Sequence, residues 1–380
     1  MMQSTVSEFR DLFLNLDNVT HLAACSQSPL SYAVESEIEQ MKRDLLEFGN
    51  PWDIWVRKVQ ESRELFARII NADPDEIAVS SSVSAAFSTI MSALNFNNRN
   101  GVVVSSLDYP TTNYIALANR KNGAKVYTVY DRGGRIEPEY FDPYIDNRTR
   151  LVSAIHVSSL NGFKLDVERI VEKSHENGAL AYVDAYQSVG SIEVDAHRIG
   201  ADFLVSGNLK WLLGWSGISH LFIRKEIIEE SEPSFTGWFA QKNPFLFAPQ
   251  DTDFSSTATR FESGTWSIPS VYASVAGMRT ILKVGLPYIF ERVRELTAYA
   301  YQSGLEHGLE PLTVSDPEKR GGIVSFRCRD ASDIEHRLKR EKIITAARGD
   351  GIRIAPHFYN TEDEVERAVS RIAYHIRNRN

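Results

Sequence analysis

The chain has 380 residues, of which 43% are hydrophobic and 24% are charged, and its formal net charge is −8 at pH 7. This length suffices for a large domain with a smaller one, and the composition is ordinary for a soluble globular protein. An acidic chain offers no basic surface of the kind that binds nucleic acid or anionic lipid, so neither partner is expected.

The N-terminal segment MMQSTVSEFRDLFLNLDNV has no positive region followed by an apolar core, and no apolar run is long enough to span a membrane. The two cysteines, Cys25 and Cys328, lack CxxC spacing and clustered histidines, so they indicate neither a zinc site nor a disulfide framework. We therefore expect a cytoplasmic protein that binds no metal and contacts no membrane.

Between about residues 75 and 225, short apolar runs rich in β-branched residues alternate with helical patterns. The runs are EIAVSS, GVVVSSLD, AKVYTVY, TRLVSAIHVS, ALAYVDA, ADFLVSG and SHLFIR. This alternation is typical of βα units that build a mainly parallel sheet covered by helices. We therefore predict an α/β fold with its central sheet in a large domain.

A smaller unit is predicted near the C-terminus. After a polar, aromatic-rich stretch the pattern becomes helical, and two strand-like segments, GGIVSFRC and GIRIAP, precede a last helix. Thr361 and Glu364 form the capping box of that helix. We predict a small α/β domain over residues 280–380, a large domain over residues 51–279, and an N-terminal arm over residues 1–50 that packs on the small domain.

Two residues of the large domain stand out. Asp184 follows the apolar run ALAYV, so it is expected at the carboxyl end of a strand, where open α/β sheets bind ligands, although such a residue could equally cap the next helix. Lys210 lies in FLVSGNLKWLLGWSG, an apolar, glycine-rich stretch that offers it no countercharge. Burial there lowers the pKa of a lysine and leaves a nucleophilic neutral amine, whereas a single lysine more commonly reaches the surface along its stem.

Together, these two residues suit pyridoxal phosphate chemistry. A lysine forms a Schiff base with this cofactor, and an acidic group keeps its pyridine nitrogen protonated so that the ring withdraws electrons. The phosphate needs an anion site, and IAVS followed by SSVSAAFSTIMSAL predicts a strand and then a serine-rich turn that opens a helix. We expect the Ser84 hydroxyl and the Val83 N–H at the phosphate, although such a turn is by itself usually only an N-cap.

The stretch YVDAYQSVGSIEVDAHRIGADFLVSGNLKWLLG resembles the class V aminotransferases of the fold-type I pyridoxal phosphate enzymes, which include cysteine desulfurases, kynureninase and isopenicillin N epimerase relatives. The similar features are D-x-x-Q, a later valine-aspartate pair, and a lysine followed by an aromatic residue and a glycine. The resemblance runs from about residue 20 to the C-terminus. It implies that Lys210 forms the Schiff base, that Asp184 pairs with the pyridine nitrogen, and that Gln187 donates a hydrogen bond to the phenolic oxygen.

Other segments are similar to further parts of the family pattern. SSLDYPTTNY implies that Tyr109 stacks on the cofactor ring, with a plain turn residue as the alternative. IHVSSLNG carries Ser159 where the family commonly has an asparagine, so Ser159 or Asn161 is expected at a cofactor oxygen. RFESGTWSIPS implies that Gly264 and Thr265 reach the phosphate of the neighbouring subunit's cofactor, and hence a homodimer with active sites at its interface.

Two features depart from the family pattern. Leu209 stands where a phosphate-binding His or Tyr often precedes the lysine, so either Ser206 or Asn208 takes that role or the phosphate is held by fewer groups. Cysteine desulfurases carry a nucleophilic cysteine on a loop ahead of the substrate arginine, whereas IITAARGDGIRIAPHFYNTEDEV contains no cysteine, which excludes a persulfide on that loop. Cys328 is expected to be a buried apolar residue.

Substrate-binding residues are also implied by the resemblance. GIRIAPHFYNTEDE is similar to the segment whose arginine binds the substrate carboxylate, so Arg353 is expected in that role, with an exposed strand arginine as the alternative. TGWFAQKNPFLF is similar to the kynureninase-like branch, which implies that Trp238 and Asn243 line the substrate pocket. An aromatic-rich loop could equally form an interface.

We therefore expect a pyridoxal phosphate-dependent enzyme that acts on an amino acid, with aminotransferase as the preferred activity. A lyase or an epimerase is the alternative, because the fate of the substrate carbanion decides among these reactions and the sequence leaves it open. A cofactor-binding regulator without turnover is a second alternative. Leu209 and Ser159 favour it, and the intact set of lysine, acid, glutamine and arginine opposes it.

Overall fold

The computed structural model describes residues 6–247 and 250–378. Its helices are α1 (Val6–Arg10), α2 (Tyr32–Phe48), α3 (Trp52–Ile70), α4 (Val83–Ala93), α5 (Pro110–Ala118), α6 (Val167–Glu176), α7 (Ala196–Ile199), α8 (Lys225–Ile228), α9 (Ile268–Val284), α10 (Leu286–Glu306), α11 (Ala331–Arg340) and α12 (Glu362–Arg377). Its strands are β1 (Thr20–His21), β2 (Ile77–Ser80), β3 (Gly101–Ser105), β4 (Lys125–Val129), β5 (Thr149–Ile155), β6 (Leu180–Asp184), β7 (Phe203–Gly207), β8 (Ser219–Ile223), β9 (Val324–Arg327), β10 (Ile343–Ile344), β11 (Ala346–Arg348) and β12 (Gly351–Ile354). None of the helices in this part of the chain combines the length and the apolar character that crossing a membrane requires.

Seven strands form the central sheet in the order β2, β8, β7, β6, β5, β3, β4. β8 runs antiparallel to both of its neighbours, and the remaining pairings are parallel. The seven apolar runs identified in the sequence are the seven strands of this sheet, which confirms the predicted α/β class. Because most strands run in the same direction, their carboxyl ends meet at one edge of the sheet.

Apolar side chains from the central strands pack on both faces of the sheet. Consecutive residues alternate between two hydrophobic clusters: Val103 and Leu204 belong to one, Val102 and Phe203 to the other. This alternation follows from the period of two in a strand, and both clusters are completed by helices. The buried strands therefore give a rigid support to the loops at their carboxyl ends.

A second, antiparallel sheet of β11, β12 and β9 lies in the C-terminal part of the chain. Helices α10, α11 and α12 pack on it around a separate hydrophobic cluster. β11 and β12 form a tight hairpin in which Arg348 pairs with Gly351, and Gly349 in its turn has a φ of 57°, which glycine adopts without strain. The helix α12 begins with the predicted capping box, since the side chains of Thr361 and Glu364 each accept from the other's backbone N–H.

The N-terminal segment contacts both parts of the molecule. β1 pairs in parallel with β10, and Ala23 forms a bridge with Ala355. Phe9 in α1 contacts the rings of Tyr288 and Phe358. α2, in contrast, packs along α9. The division of the chain after residues 50 and 279 stays a prediction.

Candidate active site

A cavity of about 330 Å³ lies at the carboxyl ends of the central strands and faces the hairpin of β11 and β12. Its position is the one at which open α/β sheets bind ligands. Of the residues predicted for the site, the cavity wall brings together Val83, Ser84, Tyr109, Ser159, Asp184, Gln187 and Lys210. The described residues include no group of three or more side chains suited to hold a metal ion.

Asp184 is the last residue of β6, and it is only 3% exposed. One oxygen of its carboxylate accepts a hydrogen bond from the N–H of Tyr186 at 3.0 Å. Burial raises the pKa of this carboxyl, whereas the Tyr186 N–H and the positive charge of Lys210 act in the opposite direction. A protonated pyridine nitrogen would supply the further countercharge that this buried acid lacks, so the site fits pyridoxal phosphate at this point.

Lys210 lies in the loop that follows β7. The loop packs directly against α9 at Gly277, where a Cβ would come within 2.2 Å of the Leu212 carbonyl oxygen. Burial lowers the pKa of Lys210 to about 8, although the charge of Asp184 opposes this shift. A lysine with such a pKa is substantially neutral near pH 8, and its amine is then a nucleophile.

Tyr186 is a wall residue that the sequence analysis missed. The Nζ atom of Lys210 lies 3.9 Å from the centre of the Tyr186 ring. The ring fits because residue 207 is glycine: a Cβ there would lie 2.4 Å from Cζ of Tyr186. Burial raises the pKa of Tyr186 to about 12, so its hydroxyl stays protonated at neutral pH. Its position between Asp184 and Gln187 in the D-x-x-Q motif was the sequence feature that could have predicted its place at the site.

The side-chain amide of Gln187 has a fixed orientation. Its oxygen accepts a hydrogen bond from the indole N–H of Trp211 at 2.9 Å, and an indole only donates. Its nitrogen donates to the carbonyl oxygen of Cys25 at 3.0 Å. An amide nitrogen carries two hydrogens, so Gln187 keeps a second N–H for the cavity that it lines.

The N-terminus of α4 supplies a site for an anion. Ser82 caps this helix, and its hydroxyl accepts a hydrogen bond from the N–H of Ala85 at 3.1 Å. Val83 and Ser84 follow in the first turn, whose N–H groups have no acceptor within a helix. The segment 81–84 lines the cavity, and the positive end of the helix favours a phosphate there. This placement suits the role predicted for Val83 and Ser84.

Tyr109 reaches the cavity from the turn between β3 and α5. The preceding Asp108 fixes this turn, because its carboxylate accepts from the N–H of Ser105 at 2.9 Å. Tyr109 itself is 38% exposed, which leaves part of its ring free to face a ligand. The guanidinium carbon of Arg348 lies 5.7 Å from the centre of that ring. Arg348 lines the cavity as well, and the sequence analysis did not identify it.

Ser159 and Asn161 differ in what they can offer to a ligand. Ser159 lines the cavity. The amide of Asn161 donates to the carbonyl oxygen of Gly134 at 2.8 Å and accepts from the N–H of Phe163 at 3.1 Å. Asn161 thus holds a turn of the backbone. Ser159 is the one of the two that the structure places at the site.

Arg353 lies behind the cavity wall and is 1% exposed. Its Nη1 donates to the carbonyl oxygen of Ser159 at 2.6 Å, and its Nε donates to that of Ala346 at 3.2 Å. Among the residues that the structure describes, no carboxylate pairs with this guanidinium. Its positive charge is close enough to contribute to the lowered pKa of Lys210. The cavity wall itself carries Arg348 and not Arg353.

Ser206 and Asn208 are buried, and neither lines the cavity. The Asn208 amide oxygen lies 3.0 Å from Nδ1 of His220, and Nε2 of this histidine lies 3.2 Å from the Ser62 hydroxyl. Burial lowers the pKa of His220 to about 3, so the histidine is neutral. The Asn208 amide oxygen is therefore committed to an internal hydrogen-bond network. The expected phosphate role of these two residues stays a prediction.

The two predicted substrate residues of the aromatic loop lie away from the cavity. The ring of Trp238 is 5.5 Å from that of Trp52 and 5.6 Å from that of Phe247, measured between ring centres. Asn243 precedes a short 3₁₀ turn in the same loop. Within this chain, neither residue contributes to the site around Lys210.

Gly264 and Thr265 are exposed and also lie outside the cavity of this chain. Glu262 anchors their loop, because one carboxylate oxygen accepts from the Arg63 guanidinium at 2.7 Å and the other accepts from the indole of Trp266 at 2.7 Å. This buried ion pair holds the loop on α3. Gly264 and Thr265 are thus exposed on a loop that buried contacts of Glu262 hold in place.

The two cysteines have different positions, both are buried, and neither forms a disulfide bond. Cys328 belongs to the hydrophobic cluster of the small sheet, as expected. Cys25 lines the cavity and accepts the hydrogen bond of Gln187 through its backbone carbonyl. The loop ahead of Arg353 is the two-residue turn of the β11–β12 hairpin, Gly349 and Asp350, and neither residue is a cysteine.

The chain is similar to several known proteins. It is 34% identical over 372 residues to an uncharacterized aminotransferase, YcbU, of Bacillus subtilis strain 168, covering 98% of each chain. It is 30% identical over 336 residues to a probable cysteine desulfurase of Methanothermobacter thermautotrophicus, covering 82% of each. It is 28% identical over 387 residues to the isopenicillin N epimerase of Streptomyces clavuligerus, covering 95% of this chain and 96% of the relative.

Solved structures share the fold. The apo cysteine desulfurase of Thermococcus onnurineus NA1 superposes with a TM-score of 0.87 at 22% identity and covers all of both chains. The family model for class V aminotransferases matches residues 54–376 of this sequence. The chain therefore belongs to the class V aminotransferases, and it is a pyridoxal phosphate-dependent enzyme.

Proposed function

We propose that Lys210 is the residue that binds pyridoxal phosphate covalently and that the enzyme transfers the amino group of an amino acid. The observation that carries the proposal is the placement of Lys210 and Asp184 on the wall of one cavity, at the carboxyl ends of β7 and β6. Burial makes the amine of Lys210 easier to deprotonate, as its pKa of about 8 indicates. The bound cofactor supplies an electron sink for the bond that breaks at the substrate α-carbon.

The other residues of the wall have distinct tasks in this proposal. Asp184 stays ionised beside the pyridine nitrogen and keeps it protonated. Gln187 donates its free N–H to the phenolic oxygen, while Val83 and Ser84 bind the phosphate at the start of α4. Tyr109 covers one face of the ring. All of these residues line the cavity, which supports the proposed tasks.

With cofactor and substrate bound, Lys210 would have a second task. Its neutral Nζ is a general base for the α-proton, because its pKa lies close to neutral pH. Arg353 is proposed to bind the α-carboxylate, since it is buried and has no acidic partner in the described part of the chain. To reach the substrate, the Arg353 side chain must give up its hydrogen bonds to two carbonyl oxygens and turn toward the cavity.

Amino transfer is preferred over other reactions because the relative with 34% identity over nearly the whole chain is named an aminotransferase. A lyase and an epimerase stay open as alternatives. One relative is named an isopenicillin N epimerase, and one protein of the same fold is named a cystine C-S lyase. A persulfide on the loop before Arg353 is not part of the proposal, because the hairpin turn has no cysteine.

We also propose a cytoplasmic homodimer. Neither Cys25 nor Cys328 forms a disulfide bond, which suits a reducing compartment. Gly264 and Thr265 are exposed and firmly anchored, as is needed for residues that complete the site of a second subunit. Light scattering on the purified protein tests the assembly, and the expected mass is twice the 42.9 kDa of one chain.

The reaction is tested by a screen of purified holoprotein against single amino acids, with and without an oxo-acid acceptor. Mass detection follows oxo acids, pyruvate, sulfide and the D-enantiomer. We expect an oxo acid that forms only when an acceptor is present. Pyruvate or sulfide without an acceptor would show a lyase, and racemised substrate alone would show an epimerase.

Two variants control this screen. Asp184→Asn should retain the cofactor but lose activity by about 100-fold or more, because an amide does not hold the pyridine nitrogen protonated. Asp333→Asn makes the same change at an exposed position of α11, outside the cavity, and should leave turnover unchanged. If no amino acid is converted while the cofactor is bound at full occupancy, the protein is a cofactor-binding regulator and the proposed activity is wrong.

A further inference from the structure

The cavity wall carries more basic than acidic side chains. Lys210 and Arg348 line the cavity, and Arg353 lies directly behind it. Asp184 is the one acidic residue of the described chain that lines the same cavity. Both arginines contribute to the lowered pKa of Lys210, which places their charges near its amine.

Arg348 is free to bind an anion. It is exposed on β11, and no carboxylate of the described residues forms an ion pair with it. The nearest acid along the chain is Asp350 in the hairpin turn, but its carboxylate pairs with Arg327 at 2.9 Å. The ring of Tyr109 lies beneath the Arg348 guanidinium at 5.7 Å and supports it at the mouth of the cavity.

The charge balance changes further in the holoenzyme. If the proposed function holds, Lys210 would hold the cofactor, Asp184 would pair with its pyridine nitrogen, and the N-terminus of α4 would bind its phosphate. The guanidinium groups of Arg348 and Arg353 then stay without an acidic partner from the described part of this chain. The α-carboxylate of a substrate pairs with one of these two guanidinium groups and leaves the other unpaired.

We propose that Arg348 binds a second carboxylate, and that the substrate is therefore an amino acid with an acidic side chain or the corresponding dicarboxylic oxo acid. This inference rests on the proposed function, because it assigns the α-carboxylate to Arg353. Guanidinium is suited to the task, since it binds a carboxylate through two parallel hydrogen bonds. The exposed position of Arg348 at the cavity mouth suits the distal end of a substrate, and the buried position of Arg353 suits the end near the reacting carbon.

The test uses holoprotein and unreactive acids of matched length, so that binding is measured without turnover. Calorimetry gives the dissociation constants of succinate and butyrate, and of glutarate and pentanoate. We expect at least one dicarboxylate to bind about tenfold or more tightly than its monocarboxylate. Arg348→Gln should remove most of this difference, and Arg348→Lys should keep a part of it.

A matched control comes from α11, where Arg340 is exposed in the same part of the fold. Arg340→Gln removes the same charge and should leave the preference for dicarboxylates unchanged. Equal binding of both acid classes to the unaltered holoprotein would overturn the inference. So would a loss of cofactor affinity in Arg348→Gln without a loss of selectivity, because Arg348 would then serve the phosphate.

Failure of the proposed function gives a different result. A protein that takes up no pyridoxal phosphate, as measured by its absorbance and mass, would contradict the role of Lys210 before any acid is added. A protein that retains the cofactor, converts neutral amino acids and ignores acidic ones would contradict the substrate class alone.

Discussion

The amine of Lys210 lies 3.9 Å from the centre of the Tyr186 ring, on the side of the cavity where Asp184 ends β6. Opposing effects therefore act on the pKa of the lysine. Burial favours the neutral amine, whereas the negative face of the aromatic ring and the charge of Asp184 favour the ammonium form. Burial is the largest effect, and the pKa falls from 10.5 to about 8.

The first prediction concerns the pH at which Lys210 reacts. A lowered pKa means that the neutral amine accumulates as the pH rises through about 8, so cofactor uptake by the apoprotein should accelerate over that interval. Tyr186→Leu removes the ring that stabilises the ammonium form and should move the profile to lower pH, by about half a unit. Tyr186→Phe keeps the ring and should leave it in place. Identical profiles for the Leu and Phe variants would show that the ring has no effect.

The second prediction concerns the space that Gly207 gives to Tyr186. A Cβ at residue 207 would lie 2.4 Å from Cζ of the tyrosine, so Gly207→Ala should lower the free energy of unfolding by about 1–3 kcal/mol. Tyr186→Ala in the same chain should remove most of this penalty. Urea unfolding of both single variants and the double variant measures the coupling. If the changes in unfolding free energy of the two single variants add up to that of the double variant, residues 186 and 207 do not interact.

A large part of the fold follows from the sequence, because its signals are local. The seven strands of the central sheet are apolar runs bounded by turn residues, and the capping box of Thr361 and Glu364 fixes the start of α12. Asp184 and Lys210 stand out because their types conflict with their apolar surroundings. Each of these features is visible in a short window of residues.

The residues that were missed depend on contacts between distant segments. Arg348 comes to the cavity only because the β11–β12 hairpin faces the loop of Tyr109. The sequence of neither segment predicts that the two lie close together. Cys25 lines the wall through the pairing of the N-terminal segment with the C-terminal part of the chain. The commitment of Asn161 to Gly134 and Phe163 likewise depends on the tertiary fold.

The third prediction concerns Arg353 and applies once an amino acid substrate is identified. Removing one partner of a buried charge pair costs on the order of 3–5 kcal/mol. Arg353→Ala should therefore lower kcat/KM by about 100-fold or more, and Arg353→Lys should lower it less, because lysine restores the charge without the two-pronged geometry. Both variants should keep the absorbance of the bound cofactor. Unchanged kinetics in either one would assign the α-carboxylate to another residue.

The fourth prediction concerns the thiols. Cys25→Ser keeps the backbone carbonyl that accepts from Gln187, and Cys328→Ser lies in the small-sheet cluster far from the reacting groups. The double variant should retain cofactor binding, with kcat within about threefold of the unaltered enzyme, a change of less than about 1 kcal/mol. Loss of turnover with an intact fold and a bound cofactor would instead establish a thiol mechanism at Cys25, the cysteine on the cavity wall.

The fifth prediction tests the central claim that Lys210 binds the cofactor covalently. Purified protein is saturated with pyridoxal phosphate, reduced with borohydride, digested and mapped by mass spectrometry, and Lys210→Ala is treated in parallel. Reduction fixes the cofactor on the amine that holds it. We expect one modified peptide, with the added mass on Lys210, and no such peptide from the variant. A modified lysine elsewhere in the chain, or no modification of a protein that binds the cofactor, would contradict the account.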